Sequence, residues 1–284
     1  MDIFEDSDRP LFVAELSINH LGMVEIAKQM IAASKKAGAD LVKLKMKNVR
    51  DYYTDESKEW RNFNFIEYRE SLELSRSDFR EIDEFCKEQN IPWFATVHDA
   101  ESREFISQFN PPVYKVASMD SGKDSFVEDT IDICRQEDKP LVISMGGKDY
   151  EETRTIVERI ESEGIKAFVL HCVSMYPTPI GECNINNILR MKDKFESESI
   201  RIGYSGHEQG IAPSLLAAEY GAEMIERHLS LSRDFKIHHI DASITPDEFS
   251  DMTRISRQML KERDANADVM DDRELQFLED RNYN

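Results

Sequence analysis

Short apolar runs and longer amphipathic runs alternate along nearly the whole chain. The apolar runs predict strands at residues 11–17, 41–45, 92–96, 113–117, 140–144, 167–171, 201–205 and 224–228. Between them, apolar positions recur at helical spacing, as over 24–37, 76–89, 125–136 and 150–163. A last helix is predicted over 246–261, where Thr245-Pro246-Asp247-Glu248 is a good helix start. Gly38, Gly164 and Gly221 each stand a few residues before a strand, as helix C-caps do. Eight β/α units in about 250 residues fit a single-domain α/β (β/α)8 TIM barrel better than an open sheet. The boundaries that follow are a tail over 1–10, a barrel over 11–262 and an acidic C-terminal tail over 263–284, frayed or helical. One segment breaks the rhythm. Residues 48–73 are too long for a routine connection and are rich in aromatics, so they are either a lid over the barrel mouth or a surface excursion with its own apolar cluster.

In such a barrel, chemistry sits at the C-terminal ends of the strands. Taken in order, those ends carry Glu15, Asn19 and His20; Lys43 and Lys45; Thr96, His98 and Asp99; and Lys115, Ser118 and Asp120. Then come Ser144; His171, Ser174 and Tyr176; Ser205 and His207; and Glu226 and His228. Polar groups at all eight ends are not random scatter. Side chains two apart on a strand share a face, so Lys43 goes with Lys45 and Glu226 with His228, while Arg227 faces the helix layer. Lys43, Lys115, Thr96, Ser118, Ser144 and Ser205 combine cations with hydroxyls, the set that a phosphate dianion needs. Singly, Ser144 or Ser205 reads better as a helix cap; the convergence favours the site. His207 and His228 belong to neighbouring strands, roughly 4.8 Å apart, so they either hold one divalent metal or form a structural pair. Glu15 is a general base, an acceptor for a substrate hydroxyl, or a carboxylate paired with Lys43. His238-His239 reads as a loop pair near substrate or solvent, with a second metal site as the other option.

Composition narrows the classes. The chain has 284 residues, 40% hydrophobic and 32% charged, with a formal net charge of −20. That charge argues against general nucleic-acid binding and favours solubility, so any anion site must be a local positive pocket inside a negative shell. No apolar run is long enough to span a bilayer, and the first residues lack a signal-peptide pattern, so a cytoplasmic protein without membrane partners is expected. Cys86, Cys134, Cys172 and Cys183 form no C-x-x-C pair and are expected as free thiols. No glycine-rich nucleotide motif is present.

At the strand ends the chain resembles the sialic acid synthase family, whose members condense phosphoenolpyruvate with amino-sugar aldehydes to make N-acetylneuraminate, legionaminate or pseudaminate. The matching stretches are residues 14–22, 37–43 and 114–118, Leu170-His171-Cys172-Val173-Ser174-Met175-Tyr176-Pro177-Thr178-Pro179, Gly203-Tyr204-Ser205-Gly206-His207-Glu208 and Glu226-Arg227-His228. The resemblance implies phosphoenolpyruvate phosphate on Lys43, Thr96, Ser118, Ser144 and Ser205, with its carboxylate on Lys115 and Ser174. It implies a metal on His207 and His228, usually Mn2+, with Co2+, Mg2+ or Zn2+ as alternatives. Glu15, Asp120, Tyr176 and Glu226 would relay protons or bind sugar hydroxyls, and Asn19, Lys45, His239 and Asp241 would face the sugar.

The chain also departs from the family pattern. Lys45 stands where the family has Gln, Gly206 where it has Asp, and Asp120 where Glu is commoner. Residues 236–241 replace a Pro-Gly-Pro-Asp-His loop. The antifreeze-like domain of typical members is not found after the barrel, so a separate chain supplying it is one expectation, and a homodimer another. The expected activity joins phosphoenolpyruvate to an aldose or amino-sugar aldehyde, giving a 2-keto-3-deoxy sugar acid and phosphate for surface glycans. A non-catalytic sugar-acid- or partner-binding barrel and a metal-dependent pyruvate aldolase are the competing readings.

Overall fold

The computed structural model describes residues 3–4, 9–263 and 272–281. Eight parallel strands close into a barrel, each paired with the next in the chain and the last with the first. They are β1 (Leu11–Glu15), β2 (Leu41–Met46), β3 (Trp93–Val97), β4 (Tyr114–Val116), β5 (Leu141–Ser144), β6 (Ala167–Cys172), β7 (Ile200–Gly206) and β8 (Met224–His228). Each lies within about two residues of its expected place. Eight helices form the outer ring: Val24–Lys36, Arg76–Glu88, Ala100–Ser107, Asp124–Glu137, Tyr150–Ser162, Asn187–Phe195, Ala212–Glu219 and Pro246–Arg263. The architecture is therefore the (β/α)8 barrel that the pattern predicted.

Local chemistry sets the helix ends. Ser75 and Asp78 form a reciprocal capping box before Arg76–Glu88, as do Asp149 and Glu152 before Tyr150–Ser162. Buried Phe79, Ile82 and Cys86 repeat at helical spacing and turn the first of these onto the sheet. Gly38, Gly164 and Gly221 have φ of 90°, 69° and 81°, the left-handed conformation expected of C-caps.

Along each strand, inward side chains change character from bottom to top. The lower interior holds Val13, Leu41, Phe94, Val113, Val142, Phe168 and Met224, plugged from below by Ile3 and Phe4. Phe4 meets Phe168 edge-on with ring centroids 5.1 Å apart. The 1–10 segment read as a tail thus contributes core residues, while residues 1–2 and 5–8 of it lie outside the described residues. One pleat higher, the inward positions become Glu15, Lys43, Thr96, Lys115, Ser144, Ser205 and Glu226. Register places Glu15 level with both Lys43 and His228. A dry floor under a polar ring confines the chemistry to the top face.

Residues 48–73 are not a bare loop. They form a short helix (Val49–Tyr52), a two-residue hairpin (Glu59–Trp60 with Phe63–Asn64) and the helix Phe65–Glu70. Trp60 stacks on Tyr68 at 4.3 Å, and Tyr53 meets Phe65 edge-on. The segment carries its own aromatic cluster and lines one side of the barrel mouth with Tyr53, Lys58, Phe65 and Arg69. Beyond the barrel, Asp272–Asp280 is helical, and the rest of the 263–284 tail after Arg263, apart from Arg281, lies outside the described residues. No described helix is long and apolar enough to cross a membrane. All four cysteines are free and buried.

Candidate active site

A cavity of about 320 Å³ opens at the C-terminal face, lined by Glu15, Lys43, Lys45, Thr96, Lys115, Ser118, Ser144, Ser174, Tyr176, Ser205, His207, Glu226, His228 and His239. Ser17, Lys47, Tyr53, Lys58, Phe65, Arg69, His98, Cys172 and His238 complete its wall. A larger groove lies at the opposite end of the barrel, around Ile3, Phe4 and Trp93, far from the polar ring.

Lys43 is the electrostatic centre. Its Nζ lies 2.6 Å from Glu15 Oε2 and 2.7 Å from Glu226 Oε1, all three side chains being buried. Lys45 Nζ lies 2.6 Å from Glu15 Oε1. Burial would raise the Glu15 carboxyl, but Lys43, Lys45 and His228 outweigh it and hold it well below the usual carboxylate range. Burial likewise works against the Lys43 ammonium, which the two carboxylates keep charged. Lys115 donates to Ser144 Oγ at 2.6 Å and stands 3.4 Å from Glu226 Oε2. With less compensation, its burial brings it down to about 8.

The hydroxyls converge with these cations. Ser205 Oγ donates to Glu226 Oε1 at 3.0 Å, and Ser118 Oγ accepts from Gly146 N at 3.0 Å. Gly146 is a glycine for reasons of space: a Cβ there would come within 2.3 Å of Ser174 Oγ and 2.7 Å of Ser118 Oγ. Thr96 Oγ1, Glu226 Oε2, His98 Nε2 and both ring nitrogens of His228 are buried and make no hydrogen bond among the described residues. Buried polar atoms are ordinarily paired, so their gathering at one cavity marks a place built for a polar ligand.

The histidine pair has the chemistry of metal ligands. The His207 and His228 rings lie 5.2 Å apart, centroid to centroid. His207 Nδ1 donates to Val173 O at 3.0 Å, which leaves Nε2 as the nitrogen with a free lone pair. His228 Nε2 lies 3.5 Å from Glu15 Oε2, and burial keeps the ring neutral. Burial works against a charged His207, but Cys172 and the Val173 carbonyl outweigh it and raise that ring, so His207 must give up a proton for the pair to hold a borderline divalent ion. Among the described residues no group of three or more His, Cys, Asp or Glu side chains is assembled for a metal, so further ligands would have to come from substrate or water. Tyr176 stacks on His239 at 3.9 Å and packs against His207 at 4.1 Å.

Three expected site residues do not reach the cavity. Asn19 is buried below it, its Nδ2 donating to Leu229 O at 2.7 Å and Ser243 Oγ at 2.9 Å, which ties the β1 loop to the β8 loop. Asp241 is exposed on a turn pointing elsewhere. Asp120 is fully buried behind His98, bonded to its Nδ1 at 2.6 Å. It orients an imidazole whose other nitrogen faces the cavity and which burial lowers to about 4. Of the other wall residues, His98 was expected only as a strand-end group and His238 only as half of the loop pair, while Lys47, Lys58 and Arg69 were not expected. A strand-end position signalled His98, whereas the other four come from the approach to the 48–73 wall, that wall itself and the loop after β8.

Outside the barrel, Arg227 is fully buried and donates to Glu208 Oε1, Glu208 O, Gly210 O and Ser214 Oγ at 2.6–2.8 Å. Tyr204 donates to Glu208 Oε2 at 2.8 Å. A Cβ on Gly206 would come within 2.5 Å of Glu208 Oε2. The carboxylate that the family pattern places at 206 is thus supplied here by Glu208, next to His207. Removing it strands a buried guanidinium, so Glu208→Ala is expected to cost about 3–5 kcal/mol in urea unfolding.

A β/α barrel with a cationic, hydroxyl-rich cavity and paired imidazoles at its C-terminal face is an enzyme scaffold. The NeuB family model matches residues 30–266, and the chain belongs to that family. It is 32% identical over 257 residues to the N-acetylneuraminate-9-phosphate synthase of Drosophila melanogaster, covering 87% of this chain and 67% of that protein. It is 31% identical to a pseudaminic acid synthase of Campylobacter jejuni, covering 89% and 75%. The crystal structure of an N-acetylneuraminic acid synthetase from Leptospira borgpetersenii superposes with a TM-score of 0.84 at 25% identity, covering 98% of this chain and 93% of that one. The chain is an enzyme of the sialic acid synthase type.

Proposed function

We propose that this enzyme condenses phosphoenolpyruvate with an aldose-type aldehyde, giving a 2-keto-3-deoxy sugar acid and inorganic phosphate. The observation that carries the reading is the ring itself: Lys43, Lys115, Thr96, Ser118, Ser144 and Ser205 point from five strand ends into one cavity beside His207 and His228. Lysines and hydroxyls there match a phosphate dianion, and Lys115 with Ser174 can take the carboxylate of the same molecule.

His207 and His228 would hold a divalent ion, manganese being the metal that the family resemblance implies. When bound, the ion supplies Lewis-acid polarisation of the aldehyde oxygen. The chain's own groups do the rest. Lys43 and Lys115 hold phosphoenolpyruvate so that its C3 attacks the aldehyde carbon and a C–C bond forms. The aldehyde oxygen takes up a proton and becomes a hydroxyl. Electron deficiency develops at C2, where the carboxylates of Glu15 and Glu226 are placed to stabilise it. Water adds to C2 and gives up a proton, with Glu226 Oε2 and His98 Nε2 as the nearest uncommitted acceptors. The tetrahedral centre then collapses to the ketone, and phosphate leaves with its bridging oxygen. Tyr176 and His239, stacked at the mouth, wall off the sugar.

Phosphate release from phosphoenolpyruvate plus Mn2+ across a panel of aldoses tests this. Acceptor-dependent release is the expected result. No release with any aldose would overturn the reading, and condensation of free pyruvate without phosphate release would replace it with an aldolase.

A further inference from the structure

The two imidazoles assigned to the metal stand one step past the last paired positions of their strands. The β7–β8 register ends where Gly206 faces Arg227, and His207 and His228 follow. Beyond that point the two segments bond to opposite neighbours. His207 O accepts from Thr178 N at 3.0 Å and its Nδ1 donates to Val173 O at 3.0 Å, both after β6. His228 O accepts from Ile244 N at 2.8 Å, and the next residue, Leu229, donates to Glu15 O at 2.8 Å. The rings themselves meet edge-on, and neither His228 nitrogen is hydrogen-bonded among the described residues.

Among the described residues, the side chain that spans this gap is Arg227. It immediately precedes His228 and faces the helix layer because His228 faces the cavity. The acceptors of its guanidinium lie in the stretch that begins after His207: Glu208 Oε1, Glu208 O, Gly210 O and Ser214 Oγ, at 2.6–2.8 Å. Glu208 is held in turn by the Tyr204 and Ser214 hydroxyls, each at 2.8 Å. Arg227 and Glu208 are both 0% exposed, so water does not loosen the pair. Gly206 leaves room for the arginine stem, since a Cβ there would come within 3.0 Å of Arg227 Cδ. A planar guanidinium reaches a carboxylate and main-chain carbonyls together, which a lysine ammonium does not. Packed apolar groups often replace a buried ion pair without loss of stability, so its use here points to the geometry it fixes.

We propose that Arg227, acting through Glu208 and the 208–214 main chain, is a positioning residue that sets the spacing and facing of His207 and His228 for one divalent ion. The inference rests on the metal reading of the histidine pair. Ligands from separate strands must be held to within about 0.5 Å of their working geometry. Without the clamp, the His207 segment follows β6 and the His228 segment follows β1, and the pair opens. Arg227 works from outside the cavity and touches neither the ion nor phosphoenolpyruvate.

The test is calorimetric binding of Mn2+, without substrate, to the parent protein and to Arg227→Lys, which keeps the charge and loses the planar fork. The Kd for Mn2+ should rise about 10- to 100-fold. The Kd for phosphoenolpyruvate should stay within about threefold. Saturating Mn2+ should restore most of kcat, because the defect lies in affinity. A floor variant of comparable thermal stability, Val142→Ala or Phe168→Leu, should bind Mn2+ as the parent does, which separates positioning from stability. Where Arg227→Lys does not fold, Glu208→Gln, of the same shape without the charge, takes its place. Unchanged Mn2+ affinity in the clamp variant, or equal weakening in the floor variant, would overturn the clamp and leave the metal pair standing. No binding of Mn2+, Co2+ or Zn2+ by the parent would overturn both.

Discussion

Lys43→Ala is expected to lower kcat by roughly 100- to 1,000-fold and to raise the KM for phosphoenolpyruvate sharply. Its ammonium contacts both Glu15 and Glu226, at 2.6 and 2.7 Å, and faces the proposed phosphate. The variant should also lose about 3–5 kcal/mol of stability, because two buried carboxylates lose their shared partner. The pH dependence separates the two effects. In the parent protein the folded Glu15 carboxyl lies well below its unfolded value. Its stabilisation is therefore full above the ordinary carboxylate range and is lost as pH falls toward the folded value. Without Lys43, burial dominates and at least one carboxyl should rise above its unfolded value. That contribution has the opposite sign: it is present at low pH and lost as pH rises. Thermal unfolding between pH 4.5 and 8 should thus show the variant's deficit shrinking on acidification. An unchanged KM for phosphoenolpyruvate would remove Lys43 from the phosphate site, and a deficit independent of pH would remove it from the carboxylate triad.

The second large effect concerns the imidazoles. His207→Ala and His228→Ala should each reduce metal-dependent turnover to the level of the parent enzyme in chelator. Each should also abolish the single-site binding of Mn2+ that calorimetry is expected to show for the parent enzyme. Binding of phosphoenolpyruvate should change far less, because of its proposed donors only Ser205 shares a strand end with either histidine. The reason is the wiring of the pair: His207 spends Nδ1 on Val173 O, and neither His228 nitrogen is hydrogen-bonded among the described residues. A merely structural pair would ordinarily be hydrogen-bonded throughout. Full turnover of the parent enzyme in chelator would exclude the metal role.

Much of this site was legible before folding was considered. Strand ends could be found because an apolar run stops where a barrel strand reaches its mouth, and the polar residue two pleats up shares the face of the buried one. That logic located Lys43, Lys115, Ser144, Ser205, Glu226 and His228, all of which line the cavity. It failed where a residue lies past the strand end, since loop geometry does not follow strand periodicity. Asn19 and Asp241 are such cases: one turns down to tie two loops together, the other turns outward. Asp120 failed differently. It is at the right strand end, but His98 stands between it and the cavity.

By itself, then, the sequence determined the barrel, the order of its strands and the polar ring at its top. Alternation of apolar and amphipathic runs leaves few other ways to bury eight strands, and period-two orientation follows from the strand backbone. Tertiary structure alone decided which carboxylate meets which lysine, since Glu15 and Glu226 are 211 residues apart in the sequence and meet only through closure of the barrel. It alone showed that Glu208 supplies the carboxylate missing at Gly206. It alone carried Lys58 and Arg69 into the cavity, because the 48–73 segment is positioned by aromatic packing, and such packing has no period along the chain from which its destination could be read.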